Sequence, residues 1–563
     1  MMDARFCTTI ERFLYNSAMR ARSFLLFVTI LFVSCATSTD TFAERRRTVP
    51  STPPANYQWD HEWARGAVFY EIFVRSFADL NGDGNGDLNG LVSKLDYLND
   101  GNPATTNDLG IDAIWLMPVF QSPSYHGYDT TDYETIERDY GTNADFQHFL
   151  TEAHKRGIRV IIDFVMNHTS DQHPWFIDSA SSTASPKRDW YIWRPTNPGW
   201  TQPWGPDPAW HPLNGTYYYG VFWSGMPDLN YRTPAVKEEM FRLARHWLAQ
   251  GVDGFRLDAT RYLIEDGPGA GQYDTPETHQ LLKDFAATVR TAKPGAYLVA
   301  ENTVDSATIA TYYGSTAVIR GGDEMPSNFN FPLASAILDS VNRGDPQLVR
   351  AILRGMMSTY PPGVIDAPFL TNHDQTRIAT VLGNNPAKLR NAAAILLTLP
   401  GAPFIYYGEE VGLQNGPTSA DESKRTPMPW TPAGGFTTGT PWFAYAPGLA
   451  TNNVATESGD ARSLLSYYRT WIAVRHQSAA LMKGDIALVD AGAQALAFIR
   501  NSPNERVLVV HNVSDAPLNT TVALDAVSFE PLYTEPGINA PTGVAGAWQI
   551  SLPARSSAVW RVH

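Results

Sequence analysis

The sequence predicts an α/β fold: a (β/α)8 TIM barrel with an inserted domain after the third strand and a C-terminal antiparallel β-sandwich domain. Short continuous apolar runs, bounded by Gly and Pro, recur about 36 to 47 residues apart along much of the chain. Such runs are typical of parallel strands that are buried on both faces. A turn and then a helical pattern follow each run, and this alternation favours a parallel barrel.

The barrel strands are predicted in chain order from the apolar runs. Seven runs are clear, and an eighth strand is expected around 324–329. The seven runs are Ala67–Phe73, Ala113–Met117, Val160–Phe164, Gly254–Leu257, Tyr297–Ala300, Ala367–Leu370 and Pro403–Tyr406. In a parallel barrel the loops after the strands form the mouth, so residues at the strand ends are the candidates for chemistry.

Two regions depart from the strand–helix alternation. About 90 residues separate the third strand from the fourth, and seven of the 16 tryptophans lie within them between His173 and Trp223. A loop of this length is a subdomain or is disordered, and the aromatic content favours a domain at 167–228, inserted into a barrel of 57–166 and 229–483. Strand-type alternation from residue 484 to residue 563 predicts the C-terminal β domain.

The inserted domain carries a ladder of tryptophans that has two interpretations. The rings could line a cleft for ligand, or they could fill the core of the domain, which we expect for most of them. They are Trp190, Trp193, Trp200, Trp204, Trp210 and Trp223.

The composition excludes several classes of protein. The formal net charge is −14 and the pI is about 5.4, which argues against binding nucleic acid or an anionic membrane through a basic surface. Aromatic residues make up 12% of the chain, which suits a protein that binds ring-shaped ligands such as sugars. The two cysteines, Cys7 and Cys35, precede the globular part and exclude a disulfide framework.

Residues 1–35 are predicted to be an export signal. Arg20 and Arg22 precede a largely apolar stretch at 24–33, too short to span a bilayer but typical of a signal core. The position of Cys35 resembles a bacterial lipoprotein cleavage site, which would make Cys35 a lipid anchor to the membrane; ordinary cleavage after Ala36 is the alternative. Residues 36–56, rich in Thr, Ser and Pro, are expected to form a tether. The protein is therefore expected to be periplasmic, anchored at the cell surface or secreted.

Charged residues stand at the ends of four predicted strands. The fourth strand leads into Arg256 and Asp258, the fifth into Glu301, and the seventh into His373 and Asp374. His168 follows the third strand. Paired carboxylates beside sugar-stacking aromatic rings are typical of glycoside hydrolysis, in which one attacks the anomeric carbon and the other protonates the leaving oxygen.

Six short motifs in order resemble those of the α-amylase family of glycoside hydrolases, family thirteen, near the group intermediate between oligo-1,6-glucosidases and neopullulanases. The likeness covers the chain from about residue 57 to its end. The motifs are DFVMNH (163–168), MPDLN (226–230), GFRLDATRY (254–262), LVAEN (298–302), FLTNHDQTR (369–377) and GAPFIYYGEEVG (401–412).

The resemblance implies a role for each matching residue. Asp258 is the nucleophile, Glu301 is the general acid and base, and Asp374 binds sugar hydroxyls and stabilises the oxocarbenium-like state. Asp129 and Arg425 resemble an ion pair at the pocket floor of related α-glucosidases, although a purely structural salt bridge is the alternative. The residues implied to bind substrate are Tyr128, Asp129, His168, Arg256, His373, Arg377 and Arg425.

A loop after the first strand predicts a structural calcium site. Oxygen-bearing side chains on alternate residues, with glycines between them, suit Ca²⁺. Gly90 stands where an EF-hand has its bidentate Glu, and the alternative is a turn that holds only water. The resemblance implies that Asn85 contributes its carbonyl and the others their side chains. The candidate ligands are Asp79, Asn81, Asp83, Asn85 and Asp87.

The resemblance implies a retaining α-amylase that acts on α-1,4-linked glucans and maltooligosaccharides. An oligo-α-glucosidase and an α-glucan transglycosylase of the trehalose-synthase kind are the alternatives. A non-catalytic, transporter-associated barrel subunit is a remote one, because all three carboxylates are present. We expect a monomer whose partner is the sugar substrate, with no nucleic acid and no membrane contact except through the lipid anchor.

Overall fold

The computed structural model describes residues 58–563. The predicted export signal, Cys35 and the tether therefore lie outside the described residues. Within 58–563, no helix combines the length and the apolarity needed to cross a bilayer.

Eight parallel strands form the barrel, and each pairs with its neighbour in chain order. The first strand also pairs with the eighth, and a bridge between Phe369 and Phe404 brings the seventh strand to the eighth. The strands are Phe69–Ile72, Ala113–Leu116, Arg159–Phe164, Gly254–Leu257, Tyr297–Ala300, Ser327–Phe329, Ile365–Ala367 and Phe404–Tyr406. The predicted (β/α)8 barrel is confirmed, and the strand expected around 324–329 is its sixth.

The seventh strand differs from the predicted run. It covers Ile365–Ala367, two residues before the predicted Ala367–Leu370. Pro368 has no N–H to donate, so the regular ladder ends at Ala367 and only the Phe369 bridge continues beyond it.

The barrel encloses a core of aromatic rings. Phe69 stacks on Phe404 with 4.4 Å between ring centroids, and Trp115, Tyr297 and Phe329 belong to the same buried cluster. These side chains come from five different strands, so burying them fixes the barrel and the positions of its strand ends.

The helices pack their apolar sides against the outside of the barrel. The helix Pro234–Ala249, for example, buries Val236, Met240, Leu243 and Trp247, which recur every three or four residues. The α-helices are Val74–Phe77, Leu88–Val92, Leu95–Leu98, Asn143–Lys155, Pro174–Ser181, Pro234–Ala249, Pro276–Ala292, Ser306–Thr311, Phe331–Arg343, Gln347–Thr359, Ile378–Val381, Pro386–Thr398, Val454–Ser458, Leu464–His476 and Ala479–Lys483.

The insertion after the third strand is built on a small antiparallel sheet. Its strands are Trp193–Arg194, Trp210–Leu213 and Thr216–Tyr219, and a separate hairpin, Phe120–Gln121 with Asp132–Ile136, precedes the third barrel strand. Most of the tryptophan ladder packs within this domain. Trp210 is buried with Trp200 and Trp204 against it, as expected for a core, whereas Trp223 is 45% exposed.

The C-terminal domain is an antiparallel sandwich of two sheets. Their inner faces share one apolar core that includes Leu508, Trp548 and Trp560. The larger sheet contains Asp485–Leu488, Ala495–Ser502, Glu505–Asn512, Ser557–Val562 and Phe529–Thr534. The smaller sheet contains Leu518–Val522, Ala547–Leu552 and Thr542–Val544.

Candidate active site

Arg256, on the fourth barrel strand, is the centre of the candidate site, and its side chain is fully buried. Its Nη1 donates to Asp258 Oδ1 at 2.7 Å and to both oxygens of Asp163 at 2.9 Å. Its Nη2 donates to Glu301 Oε2 at 2.6 Å. One guanidinium thus holds the two predicted catalytic carboxylates side by side at the mouth of the barrel, through charge-assisted hydrogen bonds.

The environment of Glu301 suits a general acid. Burial raises the pKa of Glu301 to about 8; the charges of Asp258 and Asp374 add to this effect, and Arg256 opposes it. The side chains of Asp258 and Glu301 keep 12% and 17% of their surface exposed, so a ligand can reach both. A carboxylic acid that keeps its proton near neutral pH, beside a second carboxylate, is what glycosidic bond cleavage requires.

The main chain after Asp258 turns sharply towards Glu301. Ala259 adopts a left-handed conformation with φ of 49°, which is rarely populated by residues other than glycine. This conformation directs the Ala259 N–H to Glu301 Oε2 at 3.2 Å. The turn therefore gives Glu301 a second donor and fixes its carboxyl group relative to Asp258.

Asp374 is the most accessible of the three predicted catalytic carboxylates. Its side chain is 51% exposed, and Arg425 Nη2 donates to its Oδ1 at 2.9 Å. His373 Nε2 lies 3.3 Å from its Oδ2. A half-exposed carboxylate that is held on one side can accept hydrogen bonds from the hydroxyl groups of a bound sugar.

The predicted sugar-binding side chains form a connected chain beside Arg256. Tyr128 donates its hydroxyl to Asp163 at 3.0 Å and stacks on His373, with 5.4 Å between ring centroids. His373 Nδ1 lies 2.6 Å from Glu71 Oε1, and His168 Nε2 lies 3.1 Å from the Tyr128 carbonyl oxygen. Burial lowers the pKa of both His168 and His373, so both rings are neutral at pH 7.

The predicted ion pair between Asp129 and Arg425 is wrong. Asp129 instead accepts hydrogen bonds from Ser122 Oγ at 2.7 Å and from Ser124 Oγ. Arg425 pairs with Asp374 and with Asp421, at 2.9 Å each. The hydroxyl groups satisfy Asp129 locally, while the turn that carries Arg425 places a carboxylate of its own four residues away.

Arg377 is also predicted to contact substrate, but the structure places it elsewhere. It is 1% exposed, its Nε donates to the Lys424 carbonyl at 2.8 Å, and its Nη1 donates to the Tyr407 carbonyl at 2.7 Å. Its guanidinium also packs 4.1 Å from the ring centre of Tyr406. Arg377 therefore supports the segment that carries Arg425 and does not offer its donors to a ligand.

The predicted calcium ligands lie in one folded loop after the first strand. Asp79 accepts main-chain N–H groups from Gly82 at 2.7 Å and Gly84 at 2.8 Å, and Asp87 caps the helix Leu88–Val92. Across residues 58–563, no three His, Cys, Asp or Glu side chains are grouped so as to hold a metal ion. The loop has the oxygen ligands that Ca²⁺ prefers. Several of these oxygens already accept hydrogen bonds from main-chain N–H groups, so calcium binding stays a prediction.

The structure adds residues to the site that the sequence does not assign to it. The charged residues Glu71 and Asp163 sit within apolar strands, where burial is costly without partners, and this signal could have identified them. Tyr125 comes from a loop, Asp421 and Lys424 come from a short helix, and none of the three carries a comparable signal.

Known proteins share this architecture and much of this sequence. Residues 71–484 match the family model described as alpha amylase, catalytic domain. Alpha-amylase 3 of Dictyoglomus thermophilum is 40% identical over 462 residues, which cover 81% of this chain and 86% of that protein. A trehalose synthase/amylase of Mycobacterium tuberculosis is 35% identical over 518 residues, covering 81% and 83%. The crystal structure of an alpha-amylase from H. orenii matches with a TM-score of 0.78 at 38% identity, covering 89% of this chain and 100% of that one.

Proposed function

The chain belongs to the α-amylase family of glycoside hydrolases, and we propose that it is a retaining enzyme that cleaves α-1,4-glucosidic bonds of starch-derived glucans and maltooligosaccharides. One observation carries this proposal: Asp258 and Glu301 share the buried guanidinium of Arg256 while both remain accessible. Retaining glycosidases need two carboxyl groups about 5 Å apart, one to attack and one to protonate.

The reaction would proceed in two displacements at the anomeric carbon. In the first, a carboxylate oxygen of Asp258 bonds to that carbon, the bond to the leaving glucan breaks, and Glu301 gives its proton to the departing oxygen. In the second, Glu301 takes a proton from water, the water oxygen bonds to the carbon, and the ester to Asp258 breaks. The sugar leaves with its α configuration retained, and Glu301 is protonated again.

The remaining side chains would hold the sugar ring. Asp374 has the exposure to accept its hydroxyl groups, whereas His168 and His373 are buried and would position Tyr128 and Asp374 beside the ring. Tyr128 is fixed by Asp163 and presents its ring as a stacking surface.

A transglycosylase is the second candidate, and the trehalose synthase/amylase relative favours it. A sugar hydroxyl would then replace water in the second displacement. Two residues close to the catalytic pair, Arg261 and Asn302, are held by neighbouring side chains. Arg261 Nε donates to Asp274 at 2.8 Å, and the Asn302 side chain is buried against Thr260 and Asn328.

Product analysis tests the proposal. The purified protein is incubated with amylose, maltotriose and isomaltotriose, and both reducing ends and product lengths are measured. A new reducing end for each α-1,4 bond cut supports the proposal. Conserved reducing ends with rearranged products indicate transfer, and cleavage confined to isomaltotriose indicates an oligo-α-1,6-glucosidase. No action on any of them would refute a catalytic role.

A further inference from the structure

Arg425 is fixed in every direction by a cluster that borders the pocket. Its Nη2 contacts Asp374 Oδ1 and Asp421 Oδ2 at 2.9 Å each, and its Nε donates to the His373 carbonyl at 3.0 Å. Its Nη1 donates to the Tyr125 hydroxyl, also at 3.0 Å. The charge of this one cation is therefore shared between two carboxylates, the half-exposed Asp374 and the less exposed Asp421.

Asp421 is held as firmly as the guanidinium that it contacts. The Tyr125 hydroxyl donates to its Oδ2 at 3.0 Å, and Lys424 Nζ donates to its Oδ1 at 2.9 Å. The short helix Asp421–Arg425 places Asp421 and Arg425 on the same side, four residues apart. Although burial opposes ionisation, Arg425 and Lys424 hold the pKa of Asp421 below its ordinary value, so it is charged at neutral pH.

We propose that Asp421 is a positioning residue that takes up part of the positive charge of Arg425, so that Asp374 keeps its own negative charge for the sugar ring. This role rests on the proposed function, because it concerns the oxocarbenium-like state. Asp374 is 51% exposed, so it can face a bound sugar, and positive charge develops on the ring as the glycosidic bond breaks. An Arg425 balanced by Asp374 alone would neutralise that carboxylate and repel the developing cation.

The charge argument predicts a selective effect of Asp421→Asn. The amide keeps a hydrogen-bond acceptor and the size of the side chain but removes the charge. With a chromogenic maltooligoside, we expect kcat to fall about tenfold and KM to change less than about threefold, because the positive charge exists only in the transition state. The inhibition constant of 1-deoxynojirimycin, a cationic glucose mimic, should rise about tenfold, whereas that of neutral maltose should not change.

A second background shows whether Asp421 acts through Arg425. In an Arg425→Gln enzyme, adding Asp421→Asn should cost less than about twofold in kcat, because the charge to be balanced is gone. Glu422→Gln is the matched control. Among the described residues, none of the hydrogen bonds to Arg425 involves Glu422, so this substitution should leave kcat within about twofold.

The outcomes separate this role from the proposed function. The role is refuted, and Asp421 is only structural, if Asp421→Asn weakens the binding of 1-deoxynojirimycin and of maltose equally. It is also refuted if Asp421→Asn still lowers kcat tenfold in the Arg425→Gln background. If the wild-type protein binds neither sugar and cleaves no oligosaccharide, the proposed function fails, and this role fails with it.

Discussion

Replacing Glu301 with glutamine removes the proton that the leaving oxygen needs while keeping the shape of the side chain. Burial raises the pKa of Glu301 to about 8, so its protonated form is favoured at pH 7. General acid catalysis contributes about 10² to 10⁴ in rate, or about 3 to 5 kcal/mol of barrier. We therefore expect Glu301→Gln to lower kcat/KM for maltotriose about a thousandfold.

The leaving group distinguishes an acid from a residue that merely binds. A maltosyl fluoride loses fluoride without much need for protonation, so its kcat/KM, which reports the first displacement, should fall less than about tenfold in Glu301→Gln. Azide, which needs no general base, should accelerate the second displacement and yield a glycosyl azide. Equal losses with maltotriose and with the fluoride would refute the assignment of Glu301 as the acid.

The pH dependence gives a further check with a defined sign. Glu301 acts as an acid in its protonated form, so kcat/KM of the wild type should fall as the pH rises above about 8. This alkaline decline should be absent from the fluoride reaction of Glu301→Gln. Glu324→Gln is the matched control: Glu324 is also buried with a raised pKa, but it bonds to His279, so both kcat/KM and the pH profile should be unchanged.

Two further predictions concern the nucleophile and the calcium loop. Asp258→Asn should lower kcat for hydrolysis at least about 10⁴-fold, while the circular dichroism spectrum and maltose binding stay close to wild type. Turnover near the wild-type rate would contradict the assignment of Asp258 as the nucleophile. If the loop 79–87 binds Ca²⁺, chelation followed by dialysis should lower the Tm by several degrees and added Ca²⁺ should restore it, because a ligand of the native state stabilises that state. A Tm that chelation leaves unchanged would remove the calcium site.

The sequence predicts best what repeats along the chain. Buried strands leave continuous apolar runs, and parallel strands bring their carboxyl ends to one mouth, so the sequence alone predicts that Asp258 and Glu301 lie together. Even the error in the seventh strand has a local cause, since Pro368 ends its ladder.

Contacts between loops could not be predicted in the same way. Arg425 meets Tyr125 across 300 residues of sequence and Asp374 across 51. Which carboxylate a cation reaches depends on loop conformation, and no periodic pattern records it. The resemblance therefore placed Asp129 and Arg377 against partners that the structure replaces with Ser122 and with main-chain carbonyl groups.

The geometry around Arg256 also explains why Glu301, rather than the fully buried Asp163, is the carboxyl group that can present a proton to a substrate. One cation cannot balance three buried negative charges, so a fully ionised cluster would be costly. Asp163 binds Arg256 through both oxygens and accepts a hydrogen bond from the Tyr128 hydroxyl. The hydrogen bonds that the described residues make to the Glu301 carboxyl all reach Oε2, so its Oε1 is the oxygen left to carry a proton towards a substrate.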